Sequence, residues 1–134
     1  IQGFQKTLQD YELPDTMIAC GSVPHSYLFR QGAFVIHHCG FGTAAAAMIY
    51  GIPSIPIPHI LDQMGFAMQL NNANVATKPL PSKNLSEQSL YNAITEMKAA
   101  YAEKKKNADA LSEKIRSEGG VKEAVRLIER VMEG

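Results

Sequence analysis

Three adjacent side chains able to bind ions or move protons, His37, His38 and Cys39, stand directly before a glycine-rich turn, Gly40-Phe41-Gly42, and a threonine, Thr43. Further on, Asp62 and Gln63 form an adjacent pair of multidentate polar groups. Glycines let a backbone turn sharply and approach a ligand closely. If a helix opens at this turn, its free N–H groups and dipole favour an anion at its mouth, and His38 at the lip can bond the same anion. The same joint also occurs in α/β proteins that bind nothing there. His and Cys are zinc-ligand types, but neighbouring strand residues point to opposite sides and no recognised spacing links them to Cys20 or His59, so no metal is expected. Cys39 reads as a small packing residue and His37 as a structural neighbour. No Ser-His-Asp or Cys-His pairing stands at motif spacing, and no catalytic residue is assigned. On spacing alone Asp62 reads as the N-cap of a following helix.

The elements that must hold these groups follow from apolar patterning. Phe34, Val35 and Ile36 form a buried strand, with Thr43 as N-cap of an alanine-rich helix over residues 44–50. Gly51 ends that helix, Pro53 blocks its continuation, and residues 54–57 start a second strand, in which Pro56 lacks a ladder donor. Asp62-Gln63 then opens a helix to about Leu70 or Asn72, outside the carboxyl end of a parallel strand, where open α/β sheets bind ligands. Upstream, a helix is expected over residues 1–13, a break at Pro14-Asp15, a strand over 16–20, a loop at Gly21-Ser22-Val23-Pro24-His25 and a short helix over 26–30. Downstream, Val75-Ala76-Thr77 reads as a last strand. Residues 85–134 form a helical part with a break at Gly119-Gly120. Lys104-Lys105-Lys106 reads as a solvated face, and Val121, Ala124, Val125, Ile128, Val131 and Met132 as one amphipathic face.

Taken together, His38-Cys39-Gly40-Phe41-Gly42-Thr43, Gly51-Ile52-Pro53, Pro58 and Asp62-Gln63 resemble the donor-binding signature of nucleotide-sugar-dependent, metal-independent glycosyltransferases with the GT-B fold. That family includes plant secondary-product, sterol, macrolide and glycopeptide-antibiotic glycosyltransferases and the glucuronosyltransferases. Val23-Pro24-His25 and Leu28-Phe29 match its lead-in. The resemblance covers residues 17–76 well and residues 118–128 weakly. It implies an α/β fold: a small parallel sheet with flanking helices, the Rossmann-like C-terminal half of a GT-B enzyme, residues 1–134 forming one domain. It also implies roles. His38, Gly40, Phe41, Gly42 and Thr43 would hold the donor diphosphate, Asp62 and Gln63 the sugar, and Val23, Pro24 and His25 the nucleobase. His25 could instead cap the helix that follows it. Many plant members stack a Trp on the base where this chain has Ser22.

Composition sets the remaining bounds. Lys plus Arg and Asp plus Glu balance at thirteen each in 134 residues, which gives no electrostatic footprint for nucleic acid or an anionic membrane. No apolar run reaches the length of a membrane span. Two cysteines and no secretory marker fit reduced thiols in the cytoplasm. The chain opens on Ile1 and is expected to be a processed or partial chain. The implied partners are a UDP- or dTDP-sugar and a small-molecule or lipid acceptor. The acceptor, and the base that deprotonates it, would be held by an N-terminal domain, or a partner chain, outside these residues. No cofactor is expected. The alternatives are a separate donor-binding subunit, a sugar-nucleotide epimerase on the same scaffold, and a non-catalytic nucleotide-binding domain.

Overall fold

The protein is described by a computed structural model over residues 12–133. The order is α1 (His25–Gln31), β1 (Val35–His37), α2 (Phe41–Ile49), β2 (Ser54–Pro56), α3 (Leu61–Asn72), a 3-10 turn (Ser82–Asn84), α4 (Glu87–Ala99), α5 (Tyr101–Ser117) and α6 (Gly120–Glu133). Strands β1 and β2 run parallel in the register Val35–Ser54, Ile36–Ile55, His37–Pro56. Their carboxyl ends therefore open on one edge of the sheet, and the α/β architecture is the expected one.

Pro56 lies inside β2 at a tolerable place. Val35 N–H donates to Pro53 O (2.9 Å) and Ile57 N–H to His37 O (2.8 Å), whereas Ser54 N–H turns away from β1 to Val75 O (3.0 Å). By strand alternation the Pro56 nitrogen also turns away from β1, so its missing donor weakens only the far side of β2. On that side the strand expected over residues 75–77 shrinks to one parallel bridge, Ser54–Ala76.

Helix α2 packs through small residues. Ala44 and Ala47 are buried, which lets the helix lie close to the sheet and to α5. Gly51 follows at φ +62°, and a Cβ there would stand 2.7 Å from the Asp109 carboxylate on α5. The free carbonyl of Ile49 at the end of α2 accepts bonds from Ser112 Oγ (2.6 Å) and the Arg116 guanidinium (3.0 Å). A hydroxyl and a cation at a helix C-terminus satisfy an orphan acceptor and complement the dipole. Helix α5 thus clamps α2 from behind.

Two expectations need correction, the strand over residues 16–20 and the solvated face at Lys104. Residues 16–20 form no strand: after a turn closed by Met17 N–H to Pro14 O (2.8 Å) they run without ladder bonds, and Ile18 is 90 % exposed. A short strand without a pairing partner has nothing to offset its backbone entropy. The helix expected over residues 1–13 falls outside the described residues, except Glu12 and Leu13, which are not helical. Lys104 does not share a solvated face with Lys105 and Lys106. It is 5 % exposed, and its ammonium donates to Ala76 O (2.9 Å) and Asn74 Oδ1 (3.1 Å), because successive helical residues are too far apart in angle to share one face. Helix α6 is amphipathic as expected, but none of its residues is buried, so its apolar face does not cover the described sheet.

Candidate functional site

The site is built where β1 runs into α2. The strand ends at His37, and Cys39 adopts φ +63°, a left-handed conformation uncommon for a side chain with a Cβ. Its N–H donates to His37 Nδ1 (3.1 Å). Gly40, at φ −58° and ψ 141°, is the N-cap of α2, and Ala44 N–H is the first to bond back, to Gly40 O (3.0 Å). The amides of Phe41, Gly42 and Thr43 stand ahead of that bond at the positive end of the helix. Thr43, expected as the N-cap, is the third residue of the helix instead. The reason lies at Gly40: a Cβ there would sit 2.6 Å from His38 Nε2. The His38 imidazole therefore lies across the glycine, and the helix can begin three residues early.

The two glycines of the turn differ. Gly40 is filled by the His38 ring, whereas a Cβ at Gly42 would meet no atom within 4 Å. Phe41 is 69 % exposed, with its ring 5.6 Å from that of Phe66 on α3, which sets the mouth of α2 against the body of α3. His38 is exposed beside it, and His37 is buried. Burial, then the neighbouring His38 and His25, lower the His37 pKa to about 4, so His37 is neutral at physiological pH. Cys39 is fully buried, and burial pushes its thiol up to about 11. It is a packing residue, as its sequence context implies.

At the start of α3 the expected roles of Asp62 and Gln63 exchange. Asp62, expected as either N-cap or sugar ligand, lies inside the first turn and is exposed; Ile60 is the N-cap residue. Gln63 reaches back, its Oε1 accepting the N–H of His59 (2.9 Å) and of Ile60 (3.4 Å). One end of the Gln63 amide is thus spent on the helix, while its NH2 group and the Asp62 carboxylate remain for a ligand. Next to them lies a cleft of ≈ 260 Å³ with apolar walls from Pro58, Ile60, Leu61 and Met64 and polar ones from His59, Ser82 and Lys83. Sequence patterning missed it, because residues 58–64 read as a loop and a helix start.

His25 does not cap α1. That helix begins at His25 itself, with Pro24 as N-cap residue and Pro24 O accepting the N–H groups of Tyr27 (3.0 Å) and Leu28 (3.2 Å). The His25 ring stacks on Phe29, with centroids 4.9 Å apart, and its charge is felt at His37. Val23 is half-buried and Pro24 exposed. His38 and the residues from Gly40 to Thr43 form one contiguous mouth, His25 stands beside it, and Asp62-Gln63 follow the neighbouring strand on the same sheet edge. Among the described residues no cluster of three or more His, Cys, Asp or Glu could hold a metal ion, and no helix is long and apolar enough to cross a membrane.

Parallel strands with a His-lipped helix mouth after one and a polar pair after the next make the architecture of the C-terminal half of a GT-B glycosyltransferase. The solved glycosyltransferase of kitacinnamycin superposes with a TM-score of 0.73 at 24 % identity, over 81 % of this chain and 28 % of that one. The glycosyltransferase VinC, solved in complex with dTDP, gives 0.62 at 29 % identity over 94 % of this chain and 32 % of that one. The chain belongs to the family described as erythromycin biosynthesis protein CIII-like, C-terminal domain, which matches residues 4–131. It is 33 % identical over 131 residues to a sterol 3-beta-glucosyltransferase of Komagataella phaffii, covering 96 % of this chain and 10 % of the relative. It is also 31 % identical over 121 residues to the O-mycaminosyltylonolide 6-deoxyallosyltransferase of Streptomyces fradiae, covering 87 % of this chain and 28 % of that enzyme. The chain thus spans a small part of each relative, about a tenth of the yeast enzyme.

Proposed function

We propose that this chain is the donor-binding domain of a metal-independent, cytoplasmic glycosyltransferase that moves a hexose from a UDP- or dTDP-sugar to an acceptor hydroxyl on a small molecule or lipid. The observation that carries the proposal is the His38 imidazole lying across Gly40 at the mouth of α2, beside the amides of Phe41, Gly42 and Thr43. In this role the amides, the dipole and His38 stabilise the charge that grows on the diphosphate leaving group. Asp62 and the free NH2 of Gln63 orient the sugar so that its anomeric carbon faces the acceptor, and Val23, Pro24 and His25 border the nucleobase. VinC, solved with dTDP, supports a nucleoside diphosphate as ligand, and the acceptors in the relatives' names support a bulky hydroxylated acceptor.

The donor side also exposes Phe41, Ile60 (61 %) and Leu61 (91 %). Such a face suits cover by an acceptor-binding body, which in this proposal supplies the base and lies on the same polypeptide or on a partner chain. The test is a titration with UDP, dTDP, UDP-glucose and ATP, alongside His38→Ala. Binding selective for UDP or dTDP and lost in His38→Ala supports the proposal. A folded chain that binds none of the four, or binds them equally well without His38, refutes it.

A further inference from the structure

His37 is buried without an evident reason of packing. Its Nδ1 accepts the Cys39 N–H at 3.1 Å, so the neutral ring carries its proton on Nε2. That Nε2 is buried with no partner among the described residues. A buried unpaired donor costs stability that a Leu or Phe of similar bulk would not, so filling the core does not account for the residue. What His37 does is hold the amide of Cys39, whose φ of +63° turns the chain out of β1. A side-chain acceptor bonding the N–H two residues ahead is the geometry of an Asx turn, made here with an imidazole.

That turn fixes everything downstream. It sends His38 outward, brings its ring over Gly40, and starts α2 with the amides of Phe41, Gly42 and Thr43 facing the mouth. We propose that His37 is the positioning residue of the diphosphate cradle, its Nδ1 locking the Cys39 turn that aims His38 and the helix-mouth amides. The proposal rests on the donor-binding reading above.

Only the neutral ring can do this. A proton on Nδ1 would set donor against donor at Cys39 and open the turn. The ionisable groups around His37 are His25 at the start of α1, His38 on its own strand end and the neutral Cys39 thiol; α2 and β2 contain none. His25 and His38 both oppose a charge on His37.

The test compares His37→Leu, His37→Asn and His37→Gln in the full chain by thermal unfolding and by titration with UDP and dTDP. Asn can place its Oδ1 where Nδ1 stands, while the Gln oxygen falls nearer Nε2. His37→Leu exchanges the unpaired Nε2 for an unpaired Cys39 N–H, so it is expected to unfold near the wild-type temperature yet bind about tenfold to hundredfold more weakly, the scale of loss that misplaced groups produce. His37→Asn is expected to restore binding and to hold it at acid pH, where protonation of His37 is expected to weaken binding by the wild type. If His37→Leu does not fold, the contrast of His37→Asn with His37→Gln decides. Wild-type affinity in His37→Leu, or Asn no better than Gln, overturns the positioning role alone. A wild type that binds neither nucleotide removes the donor-binding reading, and the role of His37 with it.

Discussion

Adding one methyl group at Gly42 separates a ligand cradle from an ordinary helix start. Gly42 is the second residue of α2, its φ is not positive, and a Cβ there meets no atom of the described chain within 4 Å. The fold therefore has no use for a glycine here. Alanine is favoured over glycine by about 1 kcal/mol in a helix interior and by less in the first turn, so Gly42→Ala gains roughly 0.5 kcal/mol. In a domain of this size that raises the unfolding temperature by about 2 °C. A diphosphate against the amides of Phe41, Gly42 and Thr43 would meet the new methyl, and an oxygen displaced from one such bond costs about 1.4 kcal/mol, or tenfold in affinity. Calorimetry for stability and titration with UDP or dTDP for affinity read the two effects separately. Neighbouring glycines give the controls. At Gly40 the Cβ lies 2.6 Å from His38 Nε2, so Gly40→Ala displaces the imidazole. At Gly51, φ +62°, alanine takes on about 1–2 kcal/mol of left-handed strain and loses stability without touching the mouth. Unchanged nucleotide affinity in a stabilised Gly42→Ala protein would show that nothing binds against this turn.

Gln63→Ala removes the acceptor of two N–H groups at the start of α3, costs about 1 kcal/mol, and abolishes discrimination between UDP-glucose and UDP, whereas Gln63→Glu keeps the cap and loses only the discrimination; paired titrations and urea unfolding test both. Lys104→Met keeps the packing but loses two charge-assisted bonds, leaving Ala76 O to Asn71 Nδ2 and the Asn74 side chain to Glu103, so urea unfolding is expected to show a loss of about 1–2 kcal/mol. A thiol reagent near neutral pH is expected to modify exposed Cys20 and spare Cys39, whose thiol is buried and pushed up to about 11; mass spectrometry before and after denaturation distinguishes the two. Because His37 falls from 6.5 to about 4 on folding, the unfolded chain binds more protons between those values. Stability thus drops by up to ~3 kcal/mol as pH falls through that window, and urea unfolding should show this acid limb missing in His37→Leu.

The parts of the fold legible in the sequence are those set by local chemistry. Gly51 ends α2 as expected, because only a residue without Cβ sits easily at φ +62°. The strand-to-helix turn is legible for the same reason: glycines, a histidine and an alanine run dictate it over a few residues. What escaped depended on where side chains reach in space, whether the partner is near in sequence or far. Lys104 reads as one of three solvated lysines until α5 lays it against Ala76, and Thr43 reads as a cap until the His38 ring is seen to need the space over Gly40. The strand expected over residues 16–20 failed likewise, since its pattern fits a strand but no ladder bond supports it. Gln63 and Asp62 exchanged the capping role because a glutamine one turn inside can reach back to His59, which spacing alone does not reveal.

The placement of the site follows from which contacts are rigid. Helix α5 holds the far end of α2 through Ser112 and Arg116 on Ile49 O, and the last bridged segment through Lys104 on Ala76 O. Both ties lie behind the sheet edge where His38, Gln63 and Asp62 emerge. A group that must stabilise charge at fixed positions works best on elements that cannot shift, and the mouth of α2 is held at one end by β1 and at the other by α5. The front of the same edge is the reverse: Phe41, Ile60 and Leu61 are largely exposed and nothing described covers them. In the proposed reaction, charge stabilisation at the diphosphate falls to the backbone geometry of the α2 mouth. Deprotonation of an acceptor needs a base on the open side, which the proposed reaction must take from whatever body covers those three apolar residues.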